Sequence, residues 1–335
     1  MLTFTVRRLV LAVPTLLFIS LVIFLLLELA PGDPMAQVPL TVPPEVKEKM
    51  REALGLGQPM HVRFLKWLVQ FFWVEPQVLF DHLFGTGFAE GKLRVLSWQT
   101  RSPVMDIVVQ RIPQTLWVVG LSYVVGVLIA LPIGIYSAYR QYSIFDQIGT
   151  FVSMIGFSVP TFFTGVLLIV IFSVNLGWFP SIYDTTHKVT DWDSFVFQMR
   201  QLAMPVFVLA LFNAAQISRF MRASMLDNLN QDYVRTARAK GLGERAVVMV
   251  HVLRNSMIPV VTVIALGAPQ VFAGAIITEQ VFKVNGLGHM LIGAIEANDL
   301  PTVQTLTFIF ALLIVLFNII ADVLYGILDP RIRYD

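Results

Sequence analysis

Few residues in this 335-residue chain have the types and spacing that chemistry needs. There is no cysteine, which removes disulfides, thiol nucleophiles and thiolate metal sites. The five histidines (His61, His82, His187, His251 and His289) are scattered, so no metal set suggests itself. There is no HExxH, and Gly156-Phe157-Ser158-Val159-Pro160 misses a nucleophile elbow at its last position. Gly85–Lys92, GTGFAEGK, has a phosphate-loop composition, but its spacing differs from GxxxxGK[ST] and no strand precedes it. What remains is one strongly basic segment between apolar runs, Asp232–Gly241, DYVRTARAKG, continuing through Leu242–Asn255. Its chemistry is cationic recognition. Asp232 is expected to cap a short helix and Gly241 to end it in the left-handed region. A second helix, Glu244–Asn255, then leads to Pro259. Arg235 and Arg238, three apart, share a face, and Ala237 and Ala239 keep part of the surface flat.

The elements around this segment read as a membrane protein. Hydrophobic residues make up 56% and charged residues 14%, against about 25% charged in a soluble domain. The net charge of +2, without a basic stripe interleaved with aromatics, gives no ground for a nucleic-acid partner. Leu9–Leu29 follows Arg7 and Arg8. At 21 residues it is long enough for a retained span and longer than a cleaved leader's apolar core. Five more apolar runs follow: Leu116–Ala138, Ile148–Val174 with Pro160 inside, Leu202–Ile217 extending to about Met221, Met257–Ile277 with Pro259 and Pro269, and Thr305–Leu328. The fold class expected is an all-α polytopic membrane protein of six transmembrane helices. Its parts are a first span within 1–30, a polar to amphipathic insertion over 31–110, and a core over 111–335 that contains the basic loop 222–256. Within the insertion, Pro43-Pro44 opens a helix ended by Gly55. Val62, Leu65, Leu68, Val69 and Phe72 are spaced as one helical face.

With the N-terminus in the cytoplasm, 12 of the 24 basic residues fall inside against six of the acids. The short loops then obey the positive-inside rule, which places both termini and the basic loop in the cytoplasm. Attraction to anionic membrane lipid would by itself account for such a loop. Glu28 and Asp322 are the only acids assigned to spans, both near span ends, which argues against an ion-coupled secondary transporter. Ser158, Thr161, Thr164, Asn213, Gln216, Gln270, Asn318 and Asp322 are candidate lining residues of a translocation path. Interhelical hydrogen bonding is the ordinary reason for such residues.

Arg235-Thr236-Ala237, Gly241 and His251-Val252-Leu253-Arg254 are spaced as in the cytoplasmic loop of bacterial ABC importer permeases, whose pattern is Glu-Ala-Ala, three residues, Gly, nine residues, Ile-x-Leu-Pro. The missing Glu, Ile and Pro are typical of one branch. DYVRTARAKGL with HVLRN resembles the dipeptide/oligopeptide/nickel permease family. So do RRL…LAPGDP (Arg7 to Pro34), GLGQP (Gly55–Pro59), RIPQT (Arg111–Thr115), VFKVNGLG (Val281–Gly288), NDLPTVQ (Asn298–Gln304) and LDPRIRY (Leu328–Tyr334), in the same order and across essentially the whole chain. The chain is similar to the first of two permeases, the one with a long periplasmic loop after span one. The resemblance implies a type I ABC importer permease fold in the bacterial inner membrane. It further implies a second homologous permease, two ATPases docking on the loop residues Asp232, Tyr233, Arg235, Thr236, Ala237, Arg238, Ala239, Lys240, Gly241, His251 and Arg254, and a periplasmic or lipid-anchored substrate-binding protein. ATP and Mg would reside on the ATPases, and this chain would bind no cofactor and catalyse nothing. Peptides are the cargo it suggests first; nickel, glutathione and oligosaccharides use the same permease type.

Overall fold

The computed structural model describes residues 2–29, 43–45, 48 and 57–328. The expected helix after Pro43-Pro44 lies mostly outside the described residues, as do most of the LAPGDP and LDPRIRY segments. Among the described residues there is no strand, only an isolated bridge between Leu96 and Pro103. A chain that crosses lipid must satisfy its backbone groups within each segment, and helices do so.

The helices are α1 (Leu2–Glu28), α2 (Met60–Val69), α3 (Glu75–Phe84), α4 (Val104–Tyr139), α5 (Ile144–Ser158), α6 (Thr161–Leu168), α7 (Trp192–Leu229), α8 (Asp232–Ala239), α9 (Glu244–Ala246), α10 (Leu253–Phe282), α11 (Leu287–Glu296) and α12 (Leu300–Leu328). Short π-helical stretches, Gln70–Val74, Ile169–Asn175 and Val247–Val252, follow α2, α6 and α9. Among the described residues, five helical stretches are long and apolar enough to cross a membrane, and the pair α5–α6 makes a sixth if it is one broken span.

The single apolar run read from the sequence, Ile148–Val174 with Pro160 inside, is broken into that pair. The two halves meet at 105°. Val159, ahead of Pro160, is forced from helical to extended backbone (φ −84°, ψ 126°). Pro14, Pro205, Pro259 and Pro269 instead sit inside continuous helices. Two starts follow sequence signals. Ser143 accepts from the Asp146 amide at 3.2 Å at the start of α5. Asp191 and Ser194 form a reciprocal capping box at α7, with bonds of 2.8 and 2.9 Å. The Ser194 amide foremost, with the Ser194 hydroxyl, holds the exposed Asp191 carboxyl below its ordinary pKa.

The chain divides into two compact units. One takes α1 up to Ala12, residues Gln114–His289 and α12 from Leu313; in it, α7 packs against α5, α6 and α10. Gly134 on α4 lets α7 approach, since a Cβ there would lie 2.6 Å from the Met221 Cβ and 2.7 Å from the Ser218 carbonyl oxygen. The other unit takes Val13–Pro113 and Met290–Leu312. There Trp67, Phe71 and Phe72 surround Phe308 at 5.1–5.5 Å between ring centres. The apolar spacing over Met60–Phe72 does form a helix, but Leu65, Val69 and Phe72 are exposed while Trp67 faces inward.

The same unit explains the phosphate-loop-like segment. Its donors are spent within the chain: Thr86 Oγ1 and the Phe88 and Ala89 amides converge on the Asp81 carboxylate at 2.5, 2.9 and 2.7 Å. The Thr86 hydroxyl foremost, with the two amides, holds that carboxyl below its ordinary pKa. Burial opposes the Arg94 charge, but hydrogen bonds to Glu75 and Asp106 more than offset it and raise its pKa.

Candidate functional site: the basic loop

The loop between α7 and α10 is built on a buried seam. Val234 and Ala237 of α8 are both buried, one helical turn apart, in a cluster with Met221 and Met225 of α7 and Val247 and Val252 beyond the turn. Ala237 therefore faces inward, and only Ala239 of the expected alanine patch lies on the surface. The three-residue spacing that put Arg235 and Arg238 together also puts Val234 and Ala237 together, about 100° around the helix. The helix is consequently seated on the helix ends rather than standing clear of them.

Gln231, not Asp232, occupies the N-cap position, and neither its side chain nor any other caps the helix. Asp232 is the first helical residue. Its carboxylate lies 3.4 Å from Arg235 on an exposed surface, a pair of little energetic consequence. The stop behaves as the sequence requires. Gly241 has φ +78°, its amide donates to the Arg238 carbonyl at 2.9 Å, and the Leu242 amide donates to Ala237 at 3.3 Å. These two bonds are the paired closure of a Schellman turn. Across it, Arg238 grips Glu244 with both nitrogens at 3.1 and 2.7 Å, and this pairing raises the Arg238 pKa. Arg238, itself exposed, thus braces the turn, leaving Arg235 on α8 and Lys240 just beyond its end as the cations not engaged across the turn.

The expected second helix, Glu244–Asn255, begins where the sequence puts it but does not stop. It runs through Val247–Val252 into α10 without a break. Two serines lock it to α7: Ser224 Oγ donates to the Ser256 carbonyl at 2.9 Å, and Ser256 Oγ reciprocates at 3.2 Å. His251 is half-buried and Arg254 exposed. Arg222 makes a two-point bond to Asp146 of α5 at 2.7 and 2.8 Å, and Asp146 is buried. Arg222→Met strands that carboxylate and is expected to cost about 3–5 kcal/mol of stability. Adding Asp146→Asn should recover part of the loss in a detergent melting curve. No recovery would mean that the pair is not the cause.

The candidate path residues differ in burial. Ser158 and Asn318 are exposed, and Thr161, Thr164 and Gln216 are half-buried. Asn213 is buried, with its amide nitrogen unpartnered and its Cβ against Gly126 of α4. Gln270 lies in α10, and its side chain is outside the described residues.

One residue was missed. Glu279, counted among the extramembrane acids in the sequence reading, lies inside α10 and is fully buried. It accepts from Thr115 Oγ1 at 2.7 Å, the Gly288 amide at 2.7 Å and the His289 amide at 3.1 Å. It thereby joins the RIPQT and VFKVNGLG motifs. A lone acid closing an apolar run was the available signal.

The comparisons with known proteins agree with this architecture. Residues 130–334 match the family "Binding-protein-dependent transport system inner membrane component", and residues 1–119 match the N-terminal family of such membrane components. The chain is 38% identical to the oligopeptide transport system permease protein AppB of Bacillus subtilis, over all of both chains. It is 35% identical to a putative peptide transport system permease protein of Brucella abortus over 98% of each, and 35% identical to the glutathione transport system permease protein GsiC of Salmonella typhi over all of both. Among solved structures, it superposes on a methionine ABC transporter in inward-facing conformations with a TM-score of 0.53. The identity is 19%, covering 68% of this chain and 99% of that one. A crystal structure of an amino acid ABC transporter gives 0.52 at 12% identity, covering 66% and 94%. The likeness to both structures is one of fold. A polytopic helical chain with a basic loop seated between two long spans, matched from end to end, belongs to the family of binding-protein-dependent transport system inner membrane components and serves as the non-catalytic permease subunit of an ABC importer.

Proposed function

We propose that this permease imports di- or oligopeptides. It would pair with a second, homologous permease, take ATP-driven force from two cytoplasmic ATPases at α8, and receive cargo from a periplasmic or lipid-anchored binding protein. ATP and Mg would sit on the ATPases. Both termini and the loop would face the cytoplasm of a bacterial inner membrane. The peptide assignment draws on relatives matched over at least 98% of each chain, an oligopeptide and a putative peptide transport permease; glutathione is a cargo of the same chemical type.

The observation that carries the coupling role is the two-sided nature of α8. Val234 and Ala237 fix its inner face to α7 and α10, while Tyr233, Arg235, Thr236, Ala239 and Lys240 remain outside. A push on the outer face therefore reaches two spans directly. Asn213 and Gln216 lie on α7, which leads into this helix, and are the path residues most directly driven by it.

The test is co-purification of the tagged chain in mild detergent, with the accompanying subunits identified by mass. A second permease and ATPases with phosphate-binding loops are expected. Arg235→Glu with Lys240→Glu should release the ATPases while the second permease stays. ATPases retained in full by that variant would sink the docking assignment. The absence of cysteine makes single-cysteine labelling of residue 240 a clean check on sidedness.

A further inference from the structure

A cavity of about 410 Å³ in the second unit has no assigned role. Its walls come from the end of α1 (Phe24, Leu27, Glu28), from α2 (Arg63, Lys66, Trp67) and from the start of α12 (Leu300, Gln304). Among the described residues, six buried side-chain polar atoms lack a hydrogen-bond partner, and four of them line this cavity. They are Trp67 Nε1, Gln304 Nε2, Arg63 Nε and Gln58 Oε1. Trp67 is only 5% exposed and Gln304 only 7%. Buried polar groups are almost always satisfied, so several orphans converging on one space point to something that fills it.

The balance of those atoms describes the occupant. Three are donors and one is an acceptor. Glu28 is neutralised by Arg63, and Arg94 in the same wall is held by Glu75 and Asp106. Lys66 has no acidic partner among the described residues and lies exposed beside Trp67. The cavity therefore asks for an anion with several acceptor oxygens.

A second, apolar space of about 470 Å³ lies between α1 and the stretch that runs from α2 into Gln70–Val74. It is lined by Val13, Leu16 and Leu17 of α1 and by Val69, Phe72 and Trp73. Val13, Leu17, Phe24 and Leu27 recur at helical spacing, so one stripe of α1 runs from the apolar space to the polar one. Phe24 and Phe64 touch between them, with ring centres 5.2 Å apart. From Leu16 to Glu28 the helix rises about 18 Å, close to half of a bilayer's roughly 30 Å hydrocarbon thickness. A water-soluble anion has no use for the apolar space, whereas an acyl chain does.

We infer that this unit holds a structural phospholipid, with its anionic head group on Lys66, Arg63, Trp67 and Gln304 and an acyl chain along α1 between Leu16 and Phe24. The inference needs only that α1 and α12 cross the bilayer, and is independent of cargo and sidedness.

Native mass spectrometry of the full-length chain, purified in mild detergent with its partner subunits from membranes rich in phosphatidylglycerol, tests it. The wild type is expected to retain one phosphatidylglycerol. Lys66→Glu should lower retention about tenfold, because it sets like charge beside the head group. Trp67→Phe keeps an aromatic ring at the position, removes the Nε1 donor with part of the ring, and should lower retention to a lesser degree. Equal retention in all three proteins would overturn the proposal. Loss of the lipid from wild type on adding millimolar sodium phosphate or a tripeptide would overturn it too, by assigning the cavity to a soluble anion.

Discussion

Gly241→Val is expected to abolish most uptake while the protein inserts normally and ATPase activity persists. The reason is conformational rather than steric. A Cβ at Gly241 would meet nothing within 4 Å, yet its φ of +78° is one that a β-branched residue adopts only under strain. That strain is worth roughly 1–3 kcal/mol. Reopening the turn relieves it, but breaks the Gly241–Arg238 and Leu242–Ala237 bonds and pulls Glu244 away from Arg238. The inner face of α8 then loses its fixed relation to α7 and α10. Because the cost lies in the backbone alone, the series has a defined order: Gly241→Asn should transport nearly as wild type, Gly241→Ala less, and Gly241→Val by about tenfold less or worse, since each 1.4 kcal/mol is a factor of ten. Uptake of labelled peptide into proteoliposomes, with ATP hydrolysis measured in parallel, reads both. Normal uptake by the valine variant would remove the loop from the mechanism. Equal damage by asparagine and valine would show that side-chain bulk, not φ, is what matters.

The legible parts of this protein are those set by short-range chemistry. The spans follow from apolar runs long enough for lipid, and the turn at Gly241 follows from a glycine placed after a run of helix formers. What α8 buries was not legible. Spacing groups Arg235 with Arg238 and equally Val234 with Ala237, and only the presence of Met221, Met225 and Val247 on neighbouring helices decides which pair turns inward. The break at Val159-Pro160 was half-legible, since the same residue type is absorbed at Pro205 and Pro259. The polar contacts lay furthest from the sequence reading. Thr115 and Glu279 are separated by 164 residues, and Asp299, read only as part of the NDLPTVQ motif, gathers the Trp98 amide at 2.9 Å as well as its own segment's Thr302 Oγ1 at 2.8 Å. A sequence shows that such residues are present; long-range packing supplies their partners.

Glu279→Leu should be among the most destabilising single substitutions in this chain. The leucine is close to the right size, but it leaves Thr115 Oγ1 and the amides of Gly288 and His289 without an acceptor in a site closed to water. Each orphaned donor costs about 1–3 kcal/mol, so the sum reaches a large share of the roughly 5–15 kcal/mol that holds a domain together. Glu279→Gln should fall between, because its carbonyl oxygen still accepts while its amide group opposes the remaining donors. Thr115→Val removes one donor to the carboxylate and strands the Leu287 amide, which donates to Thr115 Oγ1 at 2.8 Å, so it should cost about 1–3 kcal/mol, less than the three stranded donors of Glu279→Leu. The glycines supply an independent test of the same geometry. A Cβ at Gly288 would lie 2.5 Å from the Ile276 Cα and 3.0 Å from Glu279 Oε2, and the first of these is backbone that cannot swing away. Gly288→Ala should therefore destabilise with the carboxylate intact. Thermal unfolding in detergent, with folded yield as a second readout, ranks the four variants. If Glu279→Leu melts with wild type while Gly288→Ala does not, the turn is held by backbone packing and the carboxylate is a passenger. If both fall and Thr115→Val falls least, Glu279 is the post to which α4, α10 and α11 are tied, and the end of α10 remote from the basic loop is as firmly anchored as the end that carries it.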